Sequence, residues 1–185
     1  MDAIVIGDGP GGLSAALFLA KNGLKVTVYG QDKTAMHWAL LKNYLGIQEI
    51  HGSELQKIGR SQVLGFGATI VDSHVDKVAK VTAGFEVTLA GGATASAPYL
   101  ILSEGKSPKL AQQLGLTFDP ENGVKVDLNG KTELDGVYAV GRQARPGRSQ
   151  AIISAGDGAA AAIDILSRIR GEAFCDWDSP PEEKG

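Results

Sequence analysis

Residues 3–16 read Ala-Ile-Val-Ile-Gly-Asp-Gly-Pro-Gly-Gly-Leu-Ser-Ala-Ala, and no other stretch limits the possible folds as sharply. Four apolar residues suited to a buried strand stop at a glycine, and the glycines open into an alanine-rich run of helical character. Gly7, Gly9 and Gly12 stand at G-x-G-x-x-G spacing. In a strand–turn–helix that holds a dinucleotide, each has a mechanical job. Gly7 allows the tight turn, Gly9 lets the backbone approach a pyrophosphate, and Gly12 lets the helix lie near the strand. The free N–H groups and positive dipole end of that helix then face the phosphates. A glycine fingerprint alone also occurs in turns with no ligand. Its place after an apolar strand and before a helix is what strengthens it here. The candidate phosphate-binding residues are therefore Gly7, Gly9, Pro10, Gly11 and Gly12. Asp8 lies inside the loop, and its carboxylate has to point away from phosphates.

The following chain completes a βαβ unit. A helix is expected from Gly11 to Asn22, closed by Gly23, and a second strand from Lys25 to Tyr29. The fingerprint calls for an acid about 20 residues beyond its last glycine, and Asp32 stands there. A carboxylate at that place accepts hydrogen bonds from the hydroxyls of an unphosphorylated ribose and repels a 2′-phosphate. The alternative is a plain turn residue in Gly30-Gln31-Asp32-Lys33. Thr34 to Leu45 reads as a short helix with Ala35, Trp38, Leu41 and Leu45 on one face. Its His37 and Trp38 are either a pair flanking a planar ring or a partly buried packing pair.

Ser53 to Leu64 reads as another helix, capped by Ser53, with Leu55, Ile58 and Val63 toward the core. Ala68 to Asp72 is a third parallel strand. The period then changes: His74–Val81, Gly84–Leu89 and Thr94–Ala97 alternate as a three-stranded antiparallel meander with glycines at its turns. Tyr99 to Leu102 is a further apolar strand, closed by Ser103-Glu104-Gly105. Lys106 to Gly130 is a crossover, with a short helix at Pro108–Leu116 and a short strand at Gly123–Val126. Val137 to Val140 is the last core strand and runs into Gly141. After a polar loop from Arg142 to Arg148 comes a long helix, Gln150 to Arg170, whose Ala151, Ala155, Ala159 and Ala162 permit close packing. The tail from Glu172, with Pro180-Pro181-Glu182-Glu183, reads as frayed. The expected organisation is one domain over residues 1–172 and a tail over 173–185.

A net charge of −3 gives no electrostatic case for nucleic acid or an acidic membrane surface. The single cysteine, Cys175, rules out an intramolecular disulfide and a C-x-x-C pair, and fits a reducing compartment. No apolar run is long enough to span a bilayer, and the front apolar run leads straight into the glycine loop rather than a cleavage site. The expectation is a cytoplasmic protein with no membrane partner. His37, His51 and His74 stand in no ligand spacing, and no metal site is expected.

In this order of elements the chain resembles the FAD-binding domain of thioredoxin-reductase-like flavoproteins, within the pyridine nucleotide-disulfide oxidoreductases. Ile4 to Ala16 looks like the FAD pyrophosphate loop, and Val28 to Lys33 like the end of strand two, with Asp32 at the ribose acid and Lys33 beside it. Asn43-Tyr44-Leu45-Gly46 is similar to the family's Asn-aromatic-Pro-Gly segment. Leu100 to Gly105 stands where the family has a strand ending in Ala-Thr-Gly. Gly136 to Gly141 looks like the late strand, and Ser149-Gln150-Ala151-Ile152 like the helix start that meets the flavin ring. The resemblance covers roughly residues 1–171. It implies an α/β, Rossmann-like FAD-binding fold, a parallel sheet flanked by helices with an antiparallel β-meander. It implies FAD as cofactor, and adds Asn43, Gly105, Gly141, Arg142, Gln150 and Ala151 to the candidate cofactor-binding residues.

Three departures qualify that expectation. The family inserts a whole NAD(P)H-binding domain where Gly105 and Gly136 are here separated by 30 residues, about the length of one βαβ unit. The family's redox C-x-x-C lies in that domain, and Cys175 does not match it. The family's Gly-Asp reads Gly141-Arg142, which reverses the local charge. Arg142, Arg145 and Arg148 form either an anion-binding rim or a solvated loop. The functional expectation is a small FAD-dependent oxidoreductase without its own NAD(P)H domain. Its electrons come from an external donor, a protein or NAD(P)H, and a homodimer is a further possible partner arrangement. The alternatives are a non-catalytic FAD-binding or regulatory module and an NAD-binding domain of other chemistry. No catalytic residue is assigned.

Overall fold

The structure, a computed structural model, describes residues 1–180. Its centre is a five-stranded, wholly parallel sheet. Its strands are β1 (Ala3–Ile6), β2 (Val26–Tyr29), β5 (Thr69–Val71), β9 (Tyr99–Leu102) and β12 (Val137–Ala139), in the spatial order β12-β9-β1-β2-β5. Between them come β3 (Leu40–Leu41), β4 (Ile50–His51), β6 (Val75–Val81), β7 (Gly84–Leu89), β8 (Thr94–Ala97), β10 (Phe118–Asp119) and β11 (Gly123–Val124). The helices are α1 (Pro10–Lys21), α2 (Gly52–Gly65), α3 (Lys109–Gln113) and α4 (Ala151–Arg170).

Strand periodicity splits the core into two layers. Ala3 and Val5 of β1, with Val26, Val28, Ile101 and Tyr138, face α1, α4 and Val63 of α2. Ile4 and Ile6, with Leu100, Leu102, Val137 and Ala139, face the other way onto the meander β6-β7-β8 and onto Leu110 and Ala111 of α3. Side chains alternate along a strand, so a continuous apolar run is what a strand covered on both faces requires. The expected fold class is therefore the observed one: a parallel sheet with flanking helices on one face and an antiparallel meander on the other.

α1 and α4 pack at close range. Their buried residues are mostly small: Gly11, Gly12, Ala15 and Ala16 on α1, Ser154, Gly158, Ala161 and Ala162 on α4. The packing face of α4 thus differs from the expected stripe of Ala151, Ala155, Ala159 and Ala162, of which only Ala162 is fully buried. Gly158 makes the closest approach, because a Cβ there would collide with the Gly11 carbonyl oxygen.

Elsewhere local expectation gives way to tertiary context. Residues 34–45 form a 3-10 turn at Ala35–Trp38, capped by the Thr34 side chain, followed by β3 paired with β4. They do not form the expected helix. Trp38 and Leu45 are exposed (93% and 88%), so no apolar helical face forms and the packing reading of Trp38 lapses. In α2 the cap is His51, without a side-chain bond, rather than Ser53. Ile58 is exposed, and the buried residues besides Gly52 are Gln56 and Val63. The start of the tail is docked rather than frayed. Phe174 packs against the core and under Arg170, its N–H donates to Ser167 Oγ at 3.0 Å, and Lys21 pairs with Asp176 at 2.8 Å. The expectation for residues 181–185 lies outside the described residues.

Candidate functional site

The strand order reverses beside β1. From β1 the chain goes through β2 to β5 on one side, while β9 and β12 lie on the other. In open parallel sheets the crevice at such a point, beyond the carboxyl ends of the strands, is where ligands bind. Here the loops after β1, β2, β9 and β12 converge on a cleft of about 610 Å³, within the usual range for small-molecule sites. It is lined by Gly7, Gly9, Pro10 and Gly11 from the first loop, Lys33 from the second, Gly105 from the third, and Gly141, Arg142 and Ala151 from the last. Nine of the thirteen candidate residues therefore share one cleft.

The glycine loop is shaped for close approach. Gly7 has φ +97°, and a Cβ would strike the Ser103 carbonyl at the end of β9. A Cβ at Gly12 would strike the Gly7 carbonyl, so Gly12 lies beneath the cleft and sets the helix against the turn. At Gly9 nothing in the chain lies within 4 Å of a Cβ. Protein packing does not require glycine there, and the free space opens on the cleft. Two helices present N-termini without side-chain caps to it. α1 starts after Gly9 and α4 after Gln150, neither with a side-chain cap, and they lie so close that a Cβ on Gly11 of the first would stand 3.1 Å from the Ser154 carbonyl oxygen of the second.

Four candidates stand off the cleft lining: Gly12 as described, Asn43, Gln150 and Asp32. Asn43 Nδ2 donates to Gln150 Oε1 at 3.0 Å, tying the β3–β4 excursion to the start of α4. Asp32 has φ +54° and a half-exposed carboxylate, and its neighbours Gln31 and Lys33 line the cleft. His37 Nε2 lies 2.6 Å from the Asp32 carbonyl and 3.1 Å from Oδ1, so the histidine serves the turn at the end of β2. The three arginines divide. Arg142 lines the cleft, Arg145 pairs with Asp157 of α4 at 2.9 Å, and Arg148 is exposed. Asp8, in the wall of the cleft, directs its carboxylate to Arg60 and the Asp32 N–H.

Sequence reasoning passed over Glu104 and Gln143. Gln143 is buried and bridges two strand ends, donating to the Leu102 carbonyl and accepting the Glu104 N–H. Glu104, on the cleft, accepts the N–H groups of Leu110 and Ala111 at 2.8 and 3.1 Å and so caps α3. The one available signal was a charged residue at the end of an apolar strand. Burial pushes the Glu104 carboxyl above its ordinary value, and outweighs the helix N–H groups that pull the other way. A carboxyl with a raised native pKa binds protons more tightly in the folded state, so its ionisation costs stability as pH rises past the unfolded value. The parent should lose stability relative to Glu104→Gln as pH rises through and above the ordinary carboxyl value of about 4.3. Thermal melts of the pair across that range test this, and a constant difference would exclude it.

A family model for pyridine nucleotide-disulphide oxidoreductases matches this chain over residues 1–68 and 66–158. A thioredoxin reductase of Mycolicibacterium smegmatis is 34% identical over 121 residues, which is 62% of this chain and 37% of that protein. One from Schizosaccharomyces pombe is 26% identical over 186 residues, covering 92% of this chain and 54% of that one. The chain spans between 21% and 54% of the length of the curated relatives it matches. Among solved structures, a ferredoxin-flavin thioredoxin reductase from Clostridium acetobutylicum superposes with a TM-score of 0.80 at 18% identity, over 92% of this chain and 97% of that one. At that identity the likeness is one of fold.

Proposed function

The chain belongs to the pyridine nucleotide-disulphide oxidoreductase family, and on that footing we propose that it is a FAD-binding oxidoreductase whose electrons come from a donor outside the chain. The observation that carries this reading is the meeting of two uncapped helix N-termini, α1 and α4, at one cleft. A simple mononucleotide site needs one such terminus. A ligand with a diphosphate and a second electron-rich region makes use of both.

The residues fit FAD. Gly9, Pro10 and Gly11 would hold the pyrophosphate, with the open space at Gly9 left for it. Asp32 would take the adenosine ribose, with Lys33 beside it. Gly105, Gly141 and Arg142 close the cleft from the sheet ends, and Arg142 offers a guanidinium to a phosphate where the family pattern has an acid. Asn43, through Gln150, and Ala151 set the first turn of α4. When bound, FAD accepts and returns electrons. The uncapped first turn of α4 favours negative charge near it by about 0.3–1 kcal/mol.

Between Leu102 and Val137 the chain builds only α3 and the β10–β11 hairpin, and it carries one cysteine. A ferredoxin-flavin thioredoxin reductase with this fold makes a protein donor a reasonable partner, and NAD(P)H is the other. A homodimer remains compatible with either.

The purified protein is expected to bind FAD and show flavin absorbance near about 450 nm; a colourless protein that refuses added FAD would refute the reading. Anaerobic NADH or NADPH then divides the donors. Rapid bleaching means direct reduction by nicotinamide, and bleaching only with a reduced carrier protein means a protein donor. Reduction by dithionite alone would favour a non-catalytic FAD module. Asp32→Ala should weaken FAD binding by about tenfold to a hundredfold, as for loss of a hydrogen bond to a charged group. Unchanged affinity by calorimetry would remove Asp32 from the site.

A further inference from the structure

We infer that Asp8 is a positioning residue for the adenosine end of this cleft, acting through the Asp32 turn. The inference rests on the FAD reading above. A carboxylate within a phosphate-binding loop is an electrostatic liability unless it is turned away and balanced, and here both conditions are met. Asp8 is 4% exposed. It lies beneath Gly30, where a Cβ would stand 2.5 Å from the Asp8 Cβ. Oδ2 accepts the Asp32 N–H at 3.0 Å and is also paired with Arg60 Nη1. Gln56, one helical turn before Arg60, donates to the Asp8 carbonyl. Thus α2 anchors Asp8 at both its backbone and its side chain.

The residue so held is the unusual one. Asp32 is the single non-glycine residue with positive φ among the described residues, a conformation that persists where the surroundings over-determine it. Asp8 and Arg60 hold it from below through its N–H, and His37 holds its carbonyl and carboxylate. An ion pair with no role in the site could stand on any face of α2. This one ends on the backbone of the expected ribose ligand, between two residues that line the cleft.

The test uses the full chain and two probes, ADP, which carries the ribose, and inorganic pyrophosphate, which does not. Asp8→Ala should weaken ADP about tenfold or more, since small misplacements of a binding group are costly, and pyrophosphate by less than about twofold. Asp8→Asn keeps an oxygen for the Asp32 N–H but loses the charge against Arg60, and should cost ADP about threefold. In an Asp32→Ala background, Asp8→Ala should change ADP binding by less than about twofold, because the group it positions is gone. Equal losses for both probes would mean that Asp8 only supports the loop, and unchanged ADP affinity in a folded Asp8→Ala protein would mean no role at all; either overturns the inference. If Asp8→Ala does not fold, Asp8→Asn decides by the same ratio. A parent protein that binds neither FAD nor ADP would instead sink the FAD reading, and this inference with it.

Discussion

Gly9→Val is expected to abolish FAD retention while leaving the fold standing. The two effects separate because nothing in the chain lies within 4 Å of a Cβ at Gly9 and its backbone is extended, with φ −72° and ψ 179°. A β-branched residue adopts that conformation without strain. The cost to the protein is a poorer helix cap, so the melting temperature should fall by no more than about 4 °C. The valine would stand where the pyrophosphate approaches. Loss of binding should be roughly a hundredfold or more, about 3 kcal/mol, the upper range for overpacking a tight site. Calorimetry with FAD and a thermal melt of the same preparation measure both. Undiminished FAD affinity would show that the glycine loop is not the phosphate site.

Gly158→Val should do the reverse and strike the fold itself. Here a Cβ meets the Gly11 carbonyl and comes within 2.9 Å of the Ala15 nitrogen, so α4 must move off α1 across their whole shared face. A destabilisation of about 3 kcal/mol is expected, a drop of roughly 6–12 °C in melting temperature. Gly156→Ala is the matched control. It lies on the same helix with nothing within 4 Å of its Cβ, and should be neutral or stabilising by up to about 1 kcal/mol. A Gly158→Val protein that melts with the parent would disprove the close packing of the two helices. Because Gly11 belongs to the cleft as well, the same substitution should also loosen FAD, and by more than its control does.

The pattern of success and failure along the chain has a physical basis. β1, β9 and β12 were readable because strands covered on both faces need unbroken apolar runs, and β2 because Val26 and Val28 alternate with Thr27 and Tyr29. The meander was readable because alternation with glycine turns encodes an antiparallel sheet locally. Residues 34–45 misled because helical spacing of Ala35, Trp38, Leu41 and Leu45 counts only if something covers the face. Here Trp38 and Leu45 meet solvent, and pairing with Ile50–His51 wins instead. In α2 the inward face carries Gln56 and Arg60 beside Val63, since what lies under it is the polar back of the glycine loop at Asp8. Hydrophobic periodicity has no means of finding a polar face that is buried for a polar partner.

By itself the sequence determined the kind of protein this is. The glycine spacing after an apolar strand, the acid about 20 residues on, the meander and the late strand–glycine–helix together define a parallel-sheet dinucleotide fold, because each is a local requirement of chain geometry. Only the tertiary structure decided what surrounds the cleft: that α1 and α4 bring two N-termini without side-chain caps to it, that Gln143 ties the loop after β12 to the end of β9 beside Glu104, and that Asp8, Arg60 and His37 hold the Asp32 turn. Those arrangements join residues distant in the chain, Asp8 and Arg60 across 52 positions and the starts of α1 and α4 across many more. They follow from how the layers stack, which no local pattern records.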